Sequence, residues 1–196
     1  MNIGIDIDDT ISDTYETQFN VAQHYTINVL KRDGKIKELN DLTTHFYNKH
    51  LHSWTDEEEM DFFTKYYKEC LEKIRPKMYA KEIIDTLKEE GHKIYLITAR
   101  FDWADTKAYD ITKKWLEDNK INYDELIINA QDKGKIAKEN NIDIFFDDSY
   151  ENCKKLLEAG IKTYLMDSRV NRGIKEDEKI ERIYSWPHFY QKISQI

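Results

Sequence analysis

The sequence predicts an α/β protein, a doubly wound parallel five-stranded core with a small helical segment inserted after the first strand. Three observations lead there. Five short segments rich in apolar and β-branched residues read as buried strands, and helical patterns alternate with the later ones. The first interval alone breaks the rhythm: about 85 residues separate strand one from strand two, where a crossover needs a dozen or more.

The strands fall at Ile3–Ile7, Ile94–Thr98, Leu126–Asn129, Ile142–Phe146 and Thr163–Met166. Helical patterns occupy Trp103–Asn119, a short turn at Lys133–Asn141, and Tyr150–Ala159, the last closed by Gly160. Pro76 marks a return point: the helix Thr55–Ile74 must stop near it, and Tyr79–Glu90 then supplies the crossover helix ending at Gly91. Residues 12–77 are therefore expected to form a helical cap, and 1–11 with 78–196 the core. Thr14–Leu30 and Thr55–Ile74 carry its helices, with Thr55 as N-cap before Asp56, Glu57 and Glu58.

Composition narrows the function. A net charge of -8 disfavours bulk nucleic acid as a ligand, although a bound cation and a few basic side chains can reverse the field inside a cleft. The longest apolar runs, such as Ile94–Ile97, cannot span a bilayer, and the N-terminus lacks the pattern of a signal peptide, so a cytoplasmic protein is expected. Cys70 and Cys153 have no C-x-x-C spacing and read as reduced packing residues.

Ligands of doubly wound sheets bind at the carboxyl ends of the strands. Strand one ends in Asp6-Ile7-Asp8-Asp9-Thr10, strand two in Thr98-Ala99-Arg100, and strand four in Asp147-Asp148, while Lys133 opens the helix before strand four. Any one acid there is more often an N-cap or a solvated loop charge. Asp6 and Asp8, however, form the only D-x-D of an acidic chain, and it falls at the end of the first strand. Clustered carboxylates leaving buried strands cost desolvation and repulsion, which a hard, oxygen-seeking cation such as Mg2+ would relieve. His50 and His52 lack a third ligand and are expected to be solvent-exposed rather than zinc-bound. The aromatics Phe46, Tyr47, Trp54, Phe62, Phe63, Tyr66 and Tyr67 read as helix packing, with Trp54 or Phe46 the choice for a ring facing the cleft.

The runs D-I-D-D-T, L-I-T-A-R, Lys133 and I-F-F-D-D resemble the four motifs of haloacid dehalogenase-type phosphatases, and the match spans the core. A helical cap between the first two motifs is also that family's habit. Y-L-M-D-S-R-V-N-R and I-Y-S-W bring the chain nearest to its 5'-nucleotidase and deoxyribonucleotidase group. The resemblance implies Asp6 as nucleophile, forming an aspartyl-phosphate, and Asp8 as acid and base, a carboxyl held partly protonated by its neighbours. It implies a Mg2+ site from the Asp6 carboxylate, the Asp8 main-chain carbonyl and Asp147, with Thr98 and Lys133 on the phosphoryl oxygens. Lys135 is the alternative ammonium. Asp148 either ligates through water or holds Lys133, and Arg100 is a further site residue. Asp9 stands where this group often has glycine, so the turn after the nucleophile is expected to differ. The implied substrate is a nucleoside monophosphate, with a sugar phosphate as the runner-up. From another class, a receiver-like signalling or binding module shares the acidic pair and lysine, but gives no reason for the insert or for Asp8.

Overall fold

The structure, a computed structural model, describes residues 1–37, 47–175 and 178–195. Six parallel strands run in the order β3-β2-β1-β4-β5-β6: β1 (Asn2–Ile5), β2 (Lys93–Ile97), β3 (Glu125–Ile127), β4 (Ile144–Asp147), β5 (Lys162–Met166) and β6 (Glu181–Ile183). The strand order reverses between β1 and β4, which opens a crevice at their carboxyl ends. The count of five is corrected to six. Strand β6 is a three-residue edge with one buried side chain, so it lacks the apolar run that marks the other five.

Alternation along β4 divides the core into two layers. Phe146 packs with Ile3, Ile5, Leu96, Trp186 and Phe189, whereas Phe145 packs with Ile97, Ala137, Leu156 and Ile161 on the other face. Gly4 is required here, because a Cβ on it would lie 2.4 Å from the Phe145 ring.

The insert begins with α1 (Thr14–His24), which runs into a π-helical turn over Tyr25–Val29, then α2 (Tyr47–His52) and α3 (Asp56–Lys73). A capping box starts α3: Thr55 accepts from the Glu58 amide while the Glu58 side chain accepts from the Thr55 amide. Helices α4 (Ala80–Glu89), α5 (Ala108–Asp118), α6 (Lys133–Glu139), α7 (Tyr150–Glu158) and α8 (Trp186–Ile193) complete the chain. Helix α5 begins five residues later than Trp103, since Trp103 and Thr106 exchange backbone hydrogen bonds across a tight turn with Ala104 at φ +48°.

The two connections to the insert run side by side. Ser12 pairs antiparallel with Pro76, the Lys77 amide donates to Ile11 at 2.7 Å, and the Asp13 amide to Arg75 at 2.9 Å. Val21, Ala22, Tyr25, Trp54, Phe62 and Cys70 form a separate apolar cluster within the insert. Trp54 therefore does not face the cleft: it is buried, and its indole donates to Thr26. Phe46 lies outside the described residues. His50 is exposed, but His52 is buried between Phe19 and Trp54 with neither ring nitrogen hydrogen-bonded, and burial pushes it down to about 4. Cys70 and Cys153 are buried free thiols. No helix among the described residues is long and apolar enough to cross a membrane.

Candidate active site

Strands β1 and β4 deliver Asp6, Asp147 and Asp148 to the mouth of the crevice. Asp6 follows β1 directly, and its amide is held by the Phe146 carbonyl at 2.9 Å. Lys133, the first residue of α6, is buried and bridges two of the acids, with Nζ 2.5 Å from Asp6 Oδ1 and 2.7 Å from Asp147 Oδ2. Its rival Lys135 is exposed and pairs with Glu139. Asp147 also accepts from the Ser149 amide and Asn152. Asp148 makes no hydrogen bond to Lys133 and accepts instead from Ser168 Oγ at 3.2 Å.

Carboxylate oxygens of Asp6, Asp147 and Asp148 lie within 4.8 Å of one another. Burial raises Asp6 to about 7, opposed by Lys133 and reinforced by Asp147 and Asp8. Burial, with Asp9, Asp147 and Asp6 nearby, raises Asp148 well above the ordinary carboxylate value. Lys133 is held above its usual value despite burial, by Asp147 and Asp6. One ammonium thus faces three crowded carboxylates, an all-oxygen donor set with surplus negative charge. That set fits Mg2+.

Asp8 stands apart from this cluster. Arg100 grips it bidentately, Nε to Oδ2 at 2.9 Å and Nη2 to Oδ1 at 2.7 Å, and Thr14 Oγ1 donates to Oδ1 at 2.7 Å. Thr98 Oγ1 lies 3.5 Å from Asp8 Oδ2 and accepts from the Arg100 amide. Burial would raise Asp8, but Arg100 and Thr14 outweigh it and hold the group below its ordinary value. The expectation of a partly protonated Asp8 is corrected for this arrangement, because its neighbours favour the carboxylate.

Several residues at the site lie in runs that assign them no role. Asp9 adopts φ +55°, and its Oδ1 accepts from the Tyr15 amide at 2.8 Å, capping α1 from outside the helix. The loop after β5 supplies Ser168, and Asn171 Nδ2 donates to the carbonyls of Asp148 and Met166, both at 2.7 Å. Both residues sit in the Y-L-M-D-S-R-V-N-R run, where spacing alone assigns them no role. From the insert, Tyr15, Tyr47, Leu51 and Phe19 pack with Val170 of the same loop, and the Arg169 guanidinium lies over the Tyr15 ring at 5.4 Å.

Comparison with known proteins agrees with this geometry. Residues 1–196 match the family described as "5' nucleotidase, deoxy (Pyrimidine), cytosolic type C protein". The chain is 34% identical over 194 residues to "Putative nucleotidase YqfW" of Bacillus subtilis, covering 95% of this chain and 90% of that protein. It is 28% identical over 191 residues to a nucleotidase of Clostridium acetobutylicum, covering 97% and 92%. Among solved structures, a haloacid dehalogenase-like hydrolase of Streptococcus pneumoniae superposes with a TM-score of 0.67 at 13% identity, covering 98% of this chain and 97% of that one. A haloacid dehalogenase-superfamily hydrolase of Geobacter sulfurreducens gives 0.63 at 14%, covering 100% and 98%. The match over residues 1–196 shows that the chain belongs to the cytosolic type C family of 5' nucleotidases, phosphomonoesterases, on a fold it shares with haloacid dehalogenase-type hydrolases.

Proposed function

We propose that the protein hydrolyses nucleoside or deoxynucleoside monophosphates through a phosphoryl group carried on Asp6, with Mg2+ as cofactor and residues 12–77 as a substrate-reading cap. The observation that carries this reading is Lys133, buried between Asp6 and Asp147 with Asp148 beside them, at the point where the strand order reverses.

Asp6, Asp147 and Asp148, with the main-chain carbonyl of Asp8, would hold the ion, which when bound would draw charge from the phosphoryl oxygens. The rest belongs to the chain. Without substrate Asp8 is a carboxylate, and the negative charge of a bound phosphoryl group beside it favours its taking up a proton from water. An Asp6 carboxylate oxygen then bonds to phosphorus as the bond to the leaving oxygen breaks, and the leaving oxygen takes that proton from Asp8. Water then bonds to phosphorus, the Asp6–phosphoryl bond breaks, and the water proton passes to Asp8. Lys133 and Thr98 bind the phosphoryl oxygens, so that positioned charge does most of the work. The ring offered to the rest of the substrate is that of Phe19, half-buried where it packs on the buried Tyr15 and Tyr47 beside the loop after β5. Flat rings suit a planar base better than a sugar.

Phosphate release from a panel of nucleoside monophosphates and sugar phosphates tests this reading. Nucleotides should exceed glucose 6-phosphate in kcat/KM, EDTA should silence the enzyme and Mg2+ restore it. Phe19→Ala should narrow the nucleotide preference by roughly tenfold, as losing one aromatic contact predicts. Equal rates on every ester would replace a nucleotidase by a general phosphatase, and full activity in EDTA would contradict the metal.

A further inference from the structure

The geometry points to Arg100 as a positioning residue for phosphoryl transfer, one that sets the direction in which the Asp8 carboxylate faces the reacting oxygen. This rests on the acid–base role of Asp8 proposed above. Two parallel hydrogen bonds from one planar guanidinium fix the plane of a carboxylate, which a single contact or a lysine ammonium cannot do. Without them, rotation of an aspartate about its last bond is broad.

The guanidinium is itself anchored. Its side chain is 2% exposed, Nη1 donates to Thr112 Oγ1 at 3.2 Å, and the Trp115 ring lies 5.9 Å from Cζ, both on α5. The Arg100 amide donates to Thr98 Oγ1 at 3.3 Å. Among the described residues, Asp8 is the one carboxylate that Arg100 grips, while Lys133 serves Asp6 and Asp147. The two buried cations thus divide the acids between them. Thr14, the first residue of α1, donates to the same Oδ1 as Arg100 Nη2, and its hydroxyl is linked in turn to Ser12 Oγ. Core and insert therefore both hold one carboxylate, and the core contact is the stronger, charge-assisted one.

The Asp8 side chain is 32% exposed, so its attraction to Arg100 does little more than offset the cost of burying the guanidinium, and the arrangement calls for another use. Aim is that use. A proton moves between Asp8 and the leaving oxygen only within hydrogen-bond reach and along the right line.

The test separates aim from general integrity by the leaving group. A nucleoside 5'-hydroxyl leaves poorly and needs the proton, whereas p-nitrophenolate leaves without one. With Mg2+ present, kcat/KM reports formation of the phosphoenzyme for each ester. Arg100→Gln and Arg100→Lys should lose about 30-fold or more on a nucleoside 5'-monophosphate, and less than about 3-fold on p-nitrophenyl phosphate. Asp8→Asn should show the same bias, and Arg100→Gln added to it should change little further. Thr112→Val, a milder change that removes only the Nη1 support, should show the bias at smaller size. Equal losses on both esters, or losses that multiply in the double variant, would overturn the positioning role alone. If the Arg100 variants do not fold, an unbiased Thr112→Val overturns it. A parent inactive on both esters, or an unbiased Asp8→Asn, would defeat the underlying reading and this role with it.

Discussion

Asp9 has a left-handed backbone, φ +55°, which glycine adopts at less cost. Its side chain accounts for its presence, since Oδ1 satisfies the Tyr15 amide that the first turn of α1 leaves open, where Asp13 makes no cap bond. Burial raises Asp9 from 3.8 to about 7, against the Tyr15 amide and Lys77. A carboxyl raised on folding binds more protons in the folded chain, so its contribution to stability is full at low pH and is lost as pH climbs from about 4 to about 7. Asp9→Asn keeps an acceptor for Tyr15 and never ionises. In EDTA it should melt a few degrees above the parent at pH 8, roughly 1–2 kcal/mol, with the gap closing toward pH 4. Calorimetry across that range checks it, and a gap that widens in acid would contradict the assignment.

At the scale of elements, Asn171 ties together strands that are distant in sequence. Its amide donates to Asp148 and Met166, at the ends of β4 and β5, and accepts from the Ser168 amide and from Arg182 of β6. Asn171→Ala would leave two buried carbonyls and a guanidinium short of partners. The expected cost is about 2–4 kcal/mol in urea unfolding, with a higher Mg2+ half-saturation because Asp148 loses its support. An unchanged midpoint and metal response would show the loop to be independent of the site. This linkage explains the limits of the sequence. Strands β1, β2, β4 and β5 are legible because both faces are covered and β-branched residues run on, whereas β6 is a Glu-Arg-Ile edge whose value lies in the Arg182 contacts. Asp6, Asp8, Thr98 and Asp147 announce themselves by strand-end position, and Lys133 by opening the helix before β4. Trp54 misleads, since an aromatic in an amphipathic insert looks the same whether it packs inward or faces a cleft. Thr14, Thr112, Ser168 and Asn171 are common polar residues whose roles exist only through partners elsewhere in the chain.

For the molecule as a whole, the doubly wound sheet brings β1 and β4 together and so gathers acids that are more than a hundred residues apart. The insert leaves directly after that point through two paired connections, and α3 returns to the core where Tyr67 donates to the Phe101 carbonyl at 3.1 Å. Core and insert thus meet at the turn after Asp6. The central claim is that Asp6 carries the phosphoryl group. Its most direct test is intact-protein mass spectrometry of acid-quenched Asp8→Asn enzyme after mixing with p-nitrophenyl phosphate and Mg2+, since this ester phosphorylates the enzyme without a proton from Asp8 while hydrolysis of the intermediate is slowed, which should let it accumulate. The account predicts one added phosphoryl group, mapped by peptide fragmentation to Asp6 and absent when Asp6 is also changed to Asn. A phosphoryl group on any other residue, or turnover that survives Asp6→Asn at the parent rate, would contradict it.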